Sequence, residues 1–133
     1  SFSGSVQTLE KTLSERGIPT DQLSLEDCSG LSSNDRIHPK TLAAILSQGF
    51  DATQPVAPRV VRIFRGLEPG DFVAGNAQAK TGSLAEVSSL AGVVSTSKGH
   101  PVIFVIGFDK VPNDGAYATR GYLDNFVTAI AEM

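Results

Sequence analysis

The chain has 133 residues, 41% hydrophobic and 19% charged, with a formal net charge of −3 at pH 7. That is the composition of a folded domain rather than a disordered segment, and no run approaches the ~18 apolar residues of a membrane span. The acidic balance lacks the basic field that a nucleic-acid surface requires, so no nucleic acid is expected as a partner.

A single cysteine, Cys28, excludes an internal disulfide and a multi-cysteine zinc site, and reads as a small buried filler. The two histidines, His38 and His100, share no ligand spacing, so neither a metal nor a cofactor is expected. Ser1-Phe2-Ser3-Gly4-Ser5 has neither the basic start nor the apolar core of a signal peptide.

Ser5 is placed to cap a first helix, with Val6, Leu9 and Leu13 at helical spacing and Gly17 ending it. After Ile18-Pro19 turns the chain, Leu23-Ser24-Leu25 alternates as a short strand. Glu26 to Arg36 is a polar loop rich in turn formers. Pro39 fits the first turn of a second helix, where its missing N–H is not needed. Leu42, Ile45 and Leu46 make that helix's buried stripe, and Gly49 stops it.

From Phe50 to Gly75 the pattern weakens. Arg59, Arg62 and Arg65 recur at a spacing of three, which a solvated helix face explains better than an anion site. The second half is clearer. Strands are predicted over Asn76 to Gly82 and Val87 to Thr96, with a turn at Ser97-Lys98-Gly99-His100. Pro101 opens a third strand, and Val102 to Phe108 is almost continuously apolar, as in a strand covered on both faces. Short connections make the three an antiparallel meander. A closing helix follows, with Leu123, Phe126, Val127 and Ile130 on the stripe that packs against the sheet.

The chemistry centres on Lys80-Thr81-Gly82-Ser83. On one strand edge, a lysine and a threonine hydroxyl supply donors for a carboxylate, the lysine's assisted by its charge. Gly82 has no Cβ, so a substrate backbone can approach and pair. The Ser83 N–H can serve as one oxyanion donor. The triplet alone is better explained as an ordinary strand with an exposed lysine.

The wider pattern carries more. Asp27-Cys28-Ser29-Gly30-Leu31-Ser32, then Asn34 and Pro39, is similar to the Asp-Gly-Ser-Gly-Leu-Ser loop of the peptidase S13 penicillin-binding proteins. Ala79-Lys80-Thr81-Gly82-Ser83-Leu84, Ser89-Leu90-Ala91-Gly92-Val93 and the closing helix follow in the same order as in that family. The resemblance runs over nearly the whole chain and is weakest from Phe50 to Gly70. It implies an α+β fold, part of a serine β-lactamase/transpeptidase-like domain, with antiparallel strands and flanking helices.

It also implies a bacterial, exported serine-type D-Ala-D-Ala carboxypeptidase that forms an acyl-enzyme with peptidoglycan stem peptides and is inhibited by β-lactams. By that resemblance Lys80 and Ser83 are catalytic and Thr81 and Gly82 bind substrate. Ser29, Ser32 and Asn34 form a loop near the site.

The sequence departs from the family at four points. The S-x-x-K nucleophile is expected to lie outside this chain, which then forms the C-terminal portion of the penicillin-binding domain and needs the N-terminal portion as partner. Ser95-Thr96-Ser97-Lys98 has the letters of S-x-x-K but sits where a strand enters a turn, and reads as a decoy. Ser32-Ser33-Asn34 matches S-x-N, although that triad precedes the Ser-Gly-Leu-Ser loop in the family. Cys28 replaces a usual glycine, and Ser33 an arginine of some members that contacts a substrate carboxylate. The alternatives are a non-catalytic wall-peptide-binding or interaction module of the same fold, and an unrelated α+β domain.

Overall fold

In the computed structural model, which describes residues 2–51, 53, 77–112 and 115–133, the first helix starts ahead of its expected cap. Helix α1 spans Phe2–Glu15, so Ser5 lies inside it rather than at its end. Its stop is the expected one. Gly17 adopts φ 68°, the Ile18 N–H donates to the Leu13 carbonyl at 3.0 Å, and the Gly17 N–H to that of Ser14 at 2.9 Å. This is a Schellman end, and its hydrophobic partners Leu13 and Ile18 are both buried.

Leu23-Ser24-Leu25 forms no strand beyond a single bridge between Ser24 and Arg36. Helix α2 spans Pro39–Phe50, with Pro39 as its first residue. Gly49 is buried within it rather than ending it. His38 caps it: the imidazole Nδ1 accepts the Lys40 N–H at 3.1 Å, while the His38 carbonyl accepts that of Thr41 at 2.9 Å. Thr41 is fully buried and its hydroxyl donates to the Pro19 carbonyl at 2.7 Å. The arginines at 59, 62 and 65 lie outside the described residues.

The chain divides into two compact units, Ser1–Ile45 and Leu46–Met133. The second is built on an antiparallel sheet in the order β1-β2-β3, formed by β1 (Ala77–Leu84), β2 (Val87–Ser95) and β3 (Pro101–Phe108). Helix α3 (Gly115–Ala131) packs across all three strands. One sheet face is closed by this helix: Ala79, Leu90, Val94, Phe104, Leu123 and Val127 form the buried core. Phe126, expected on the same stripe, is 40% exposed. It stands one step round the helix from the line of Leu123, Val127 and Ile130, which the 3.6-residue turn keeps over the sheet.

Two ties lock the ends of this layer. The Ser97 N–H donates to the Ala131 carbonyl at 2.6 Å, so the β2–β3 turn holds the last turn of α3. The Val111 N–H donates to the Glu86 carbonyl at 2.9 Å, bringing the exit of β3 back to the β1–β2 turn. The architecture is α+β with an antiparallel sheet and flanking helices, as the sequence implies.

Candidate functional site

Lys80, Thr81 and Gly82 lie in the middle of β1, an edge strand of the sheet among the described residues. The hairpin register pairs Lys80 with Ala91, Thr81 with Leu90 and Gly82 with Ser89. Strand alternation then separates the triplet. Lys80 and Gly82 share the face opposite α3, together with Ser89, Ala91 and Val105, whereas Thr81 projects on the face of Leu90. The three side-chain positions therefore bracket the strand edge from its two sides.

The Lys80 ammonium is exposed and donates to the Thr81 carbonyl at 2.6 Å. Among the described residues the one ion pair is between Lys11 and Glu15, so no carboxylate there neutralises Lys80. Gly82 is half-buried, and its carbonyl accepts a hydrogen bond from the Ser89 hydroxyl at 3.3 Å. Ser83 is exposed at the same edge.

The Glu26 to Arg36 loop belongs to the first unit and is built on its own hydrogen bonds. The Asp27 carboxylate accepts from the Ser29 N–H at 2.6 Å, the Ser29 hydroxyl at 2.9 Å and the Gly30 N–H at 3.0 Å. Such a closed local turn needs Gly30 in the left-handed region, at φ 75°. The Glu26 carboxylate accepts from the Ser32 hydroxyl at 2.7 Å and the Asn34 amide at 3.0 Å.

These donors hold both carboxyls below their ordinary range. Ser32 and then Asn34 are the main causes for Glu26, and the Ser29 hydroxyl and N–H for Asp27. Ser29, Ser32 and Asn34 are thus explained as the frame of the loop. Cys28, expected as a buried filler, is exposed on it. Leu31 beside it is 74% exposed as well, and the half-buried leucines Leu23 and Leu25 lie just before the loop.

Ser95 closes β2 and is exposed, with the β2–β3 turn directly after it. No helix starts there, so Ser95-Thr96-Ser97-Lys98 has none of the geometry that sets a lysine beside a serine nucleophile on one helix face. Ser97 is used instead to hold α3, and the Thr96 Oγ1 accepts the His100 N–H at 3.1 Å. Two residues that sequence reasoning passed over are Ser89 and His38. The signal for Ser89 was present in the hairpin: a two-residue Ala85-Glu86 connection places it opposite Gly82.

The model of the D-Ala-D-Ala carboxypeptidase 3 (S13) family matches residues 1–130. Carboxypeptidase DacB of Mycolicibacterium smegmatis is 30% identical over 119 residues, covering 80% of this chain and 26% of that protein. Carboxypeptidase Rv3627c of Mycobacterium tuberculosis is 28% identical over an alignment of 143 positions, covering 98% of this chain and 30% of that protein.

Two crystal structures of penicillin binding protein 4 (dacB) from Haemophilus influenzae share the fold over 100% of this chain. With a β-lactam bound, the TM-score is 0.79 at 23% identity, over 34% of that chain. For the second structure the values are 0.76 and 22%, over 33%. The chain spans about a quarter to a third of the length of these proteins. With the family model matched across almost its whole length, and with the three-stranded meander and its closing helix in the fold of penicillin binding protein 4, this chain belongs to the D-Ala-D-Ala carboxypeptidase 3 (S13) family.

Proposed function

We propose that this chain is the substrate-binding half of a serine-type D-Ala-D-Ala carboxypeptidase acting outside the cytoplasm on peptidoglycan stem peptides. The observation that carries the reading is Lys80. It is an exposed ammonium on an edge strand, with no carboxylate partner among the described residues and glycine two positions on, on the same face. A cation left open beside a strand that a backbone can approach suits a peptide ending in a carboxylate.

The roles follow from position. The peptide's terminal carboxylate lies along the β1 edge, with Lys80 on one side and the Thr81 hydroxyl on the other. Gly82 admits the peptide backbone. The Ser83 N–H donates to the oxyanion that develops when a serine attacks the D-Ala-D-Ala carbonyl. That serine and its lysine base belong to the N-terminal portion of the same enzyme. The serine forms an ester with the peptide and expels D-alanine, and water then releases the shortened peptide. A β-lactam reacts at the same serine, and its carboxylate takes the place of the peptide's.

The test is D-alanine release from a D-Ala-D-Ala peptide by the full-length protein. Lys80→Ala is expected to lose about 2–4 kcal/mol of transition-state stabilisation with the fold intact. Release at the parental rate from Lys80→Ala sinks the assignment.

A further inference from the structure

Across the sheet face opposite α3 runs a row without bulk: Gly82, Ser89 and Gly107, paired in register on β1, β2 and β3. Ser89 is its centre. Its hydroxyl donates to the Gly82 carbonyl at 3.3 Å, and a Cβ built on Gly82 meets that hydroxyl oxygen at 2.6 Å. The Ser89 hydroxyl therefore fills the space that the missing side chain leaves. On the other side, a Cβ on Gly107 lies 3.5 Å from the Ser89 Cβ, an ordinary contact. Only Gly82 is fitted to Ser89 in this way.

The Gly82 carbonyl and the Ser83 N–H belong to one planar peptide group, so a constraint on the first orients the second. Glycine is the residue whose own backbone preferences hold such a plane least. A hydroxyl bonded to the carbonyl restrains the plane from outside. It also polarises the amide, which strengthens the N–H as a donor.

We propose that Ser89 is a positioning residue for acyl transfer: through the Gly82 carbonyl it aims and polarises the Ser83 N–H. The inference rests on the oxyanion role proposed above for that N–H. Ser89 acts through the peptide group and touches no reacting atom. It also gives Gly82 a second purpose, since a side chain there displaces the hydroxyl.

The test uses the full-length protein with Ser89→Ala, Ser89→Thr and Lys80→Ala, acylated by a penicillin under saturation kinetics that separate non-covalent affinity from the acylation rate constant. Ser89→Ala is expected to lower the rate constant about five- to tenfold, the worth of one modest hydrogen bond, with affinity unchanged. Ser89→Thr keeps the hydroxyl and restores the rate to within about twofold of the parent. The Ser83 amide proton resonance is expected to move in Ser89→Ala and return in Ser89→Thr. A parental rate in Ser89→Ala beside a slow Lys80→Ala overturns the positioning role and leaves the site assignment standing. Parental rates in both overturn the assignment and this role with it. Equal loss of affinity and rate, unrestored by Ser89→Thr, reduces Ser89 to packing and also overturns the proposal.

Discussion

Lys80 and Glu26 show how differently two charged side chains can be held. Lys80 carries its charge at a strand edge with the Thr81 carbonyl as its partner among the described residues, whereas Glu26 spends both carboxylate oxygens inside its loop. For Glu26 and Asp27 the lowered folded values mean that the ionised forms carry the loop's hydrogen bonds. Those bonds are complete above the ordinary carboxylate range and are lost as pH falls through the lowered folded values.

The Ser29 and Gly30 amide resonances are therefore expected to hold from neutral to mildly acidic pH and to shift only below the usual Asp and Glu range. Titration of either carboxyl at its ordinary value contradicts this. Asn34→Ala removes one donor from Glu26 and should raise its titration, while penicillin acylation of the full-length protein stays within about threefold of the parent. A hundredfold loss would instead make Ser32-Ser33-Asn34 part of the reacting site. The letters of this loop marked a turn but not its wiring. Which oxygen each hydroxyl bonds depends on how the chain folds back at Ser24 and Arg36, and no local spacing encodes that.

The β1–β2 hairpin is the element on which the site depends, and Gly92 sets how closely its strands approach. A Cβ on Gly92 would run into the Gln78 carbonyl oxygen and lie 2.7 Å from the Ala79 Cα, both backbone atoms that cannot swing aside. Gly92→Ala is expected to cost about 3 kcal/mol or more and to push β1 outward. Denaturant unfolding of the full-length protein measures this, and a loss below ~1 kcal/mol shows that the strands adjust freely.

Much of this element was legible. Alternation and short connections gave the three strands and their antiparallel order, although β1 runs two residues past its expected end at Gly82 and leaves only Ala85-Glu86 as the connection. The apolar run of Val102 to Phe108 gave β3. What escaped were features set by packing. Which of the two faces carries Lys80 and which Thr81 is settled only by where α3 packs. Phe126 leaves the stripe because the helix needs only Leu123, Val127 and Ile130 over the sheet. The start of α1 at Phe2 overrode Ser5, whose cap preference is a local term that three further helical residues outweigh.

Among the described residues α3 closes one face of the sheet, while on the other the end of α2, at Ser47 and Phe50, lines a cavity with Asp51, Gln78, Val93 and Ile103. Against the core beneath α3 stand Val93, Ile103 and Val105 on the opposite face, all half-buried. At about 25 cal/mol per Å2, side chains of this size left half exposed forgo a few kcal/mol, a sizeable part of a domain's margin. The relatives are three to four times longer than the span they share with this chain, and on the function proposed above a further portion of the same protein would complete that face. The isolated 133 residues are then expected to unfold at low temperature or to associate, and the full-length protein to be monomeric, by thermal unfolding and light scattering. An isolated chain that is monomeric, unfolds cooperatively and gains nothing from the remainder contradicts this.

On the function proposed above, one site is divided between two parts of one protein, with substrate recognition here and the attacking serine elsewhere. Its most direct measurement is the position of the covalent adduct. The full-length protein is labelled with a penicillin, digested, and the modified peptide located by mass spectrometry. The adduct is predicted on a serine outside these residues, at the start of a helix and three positions before a lysine. An adduct on Ser95, or on any other serine of this chain, contradicts the account.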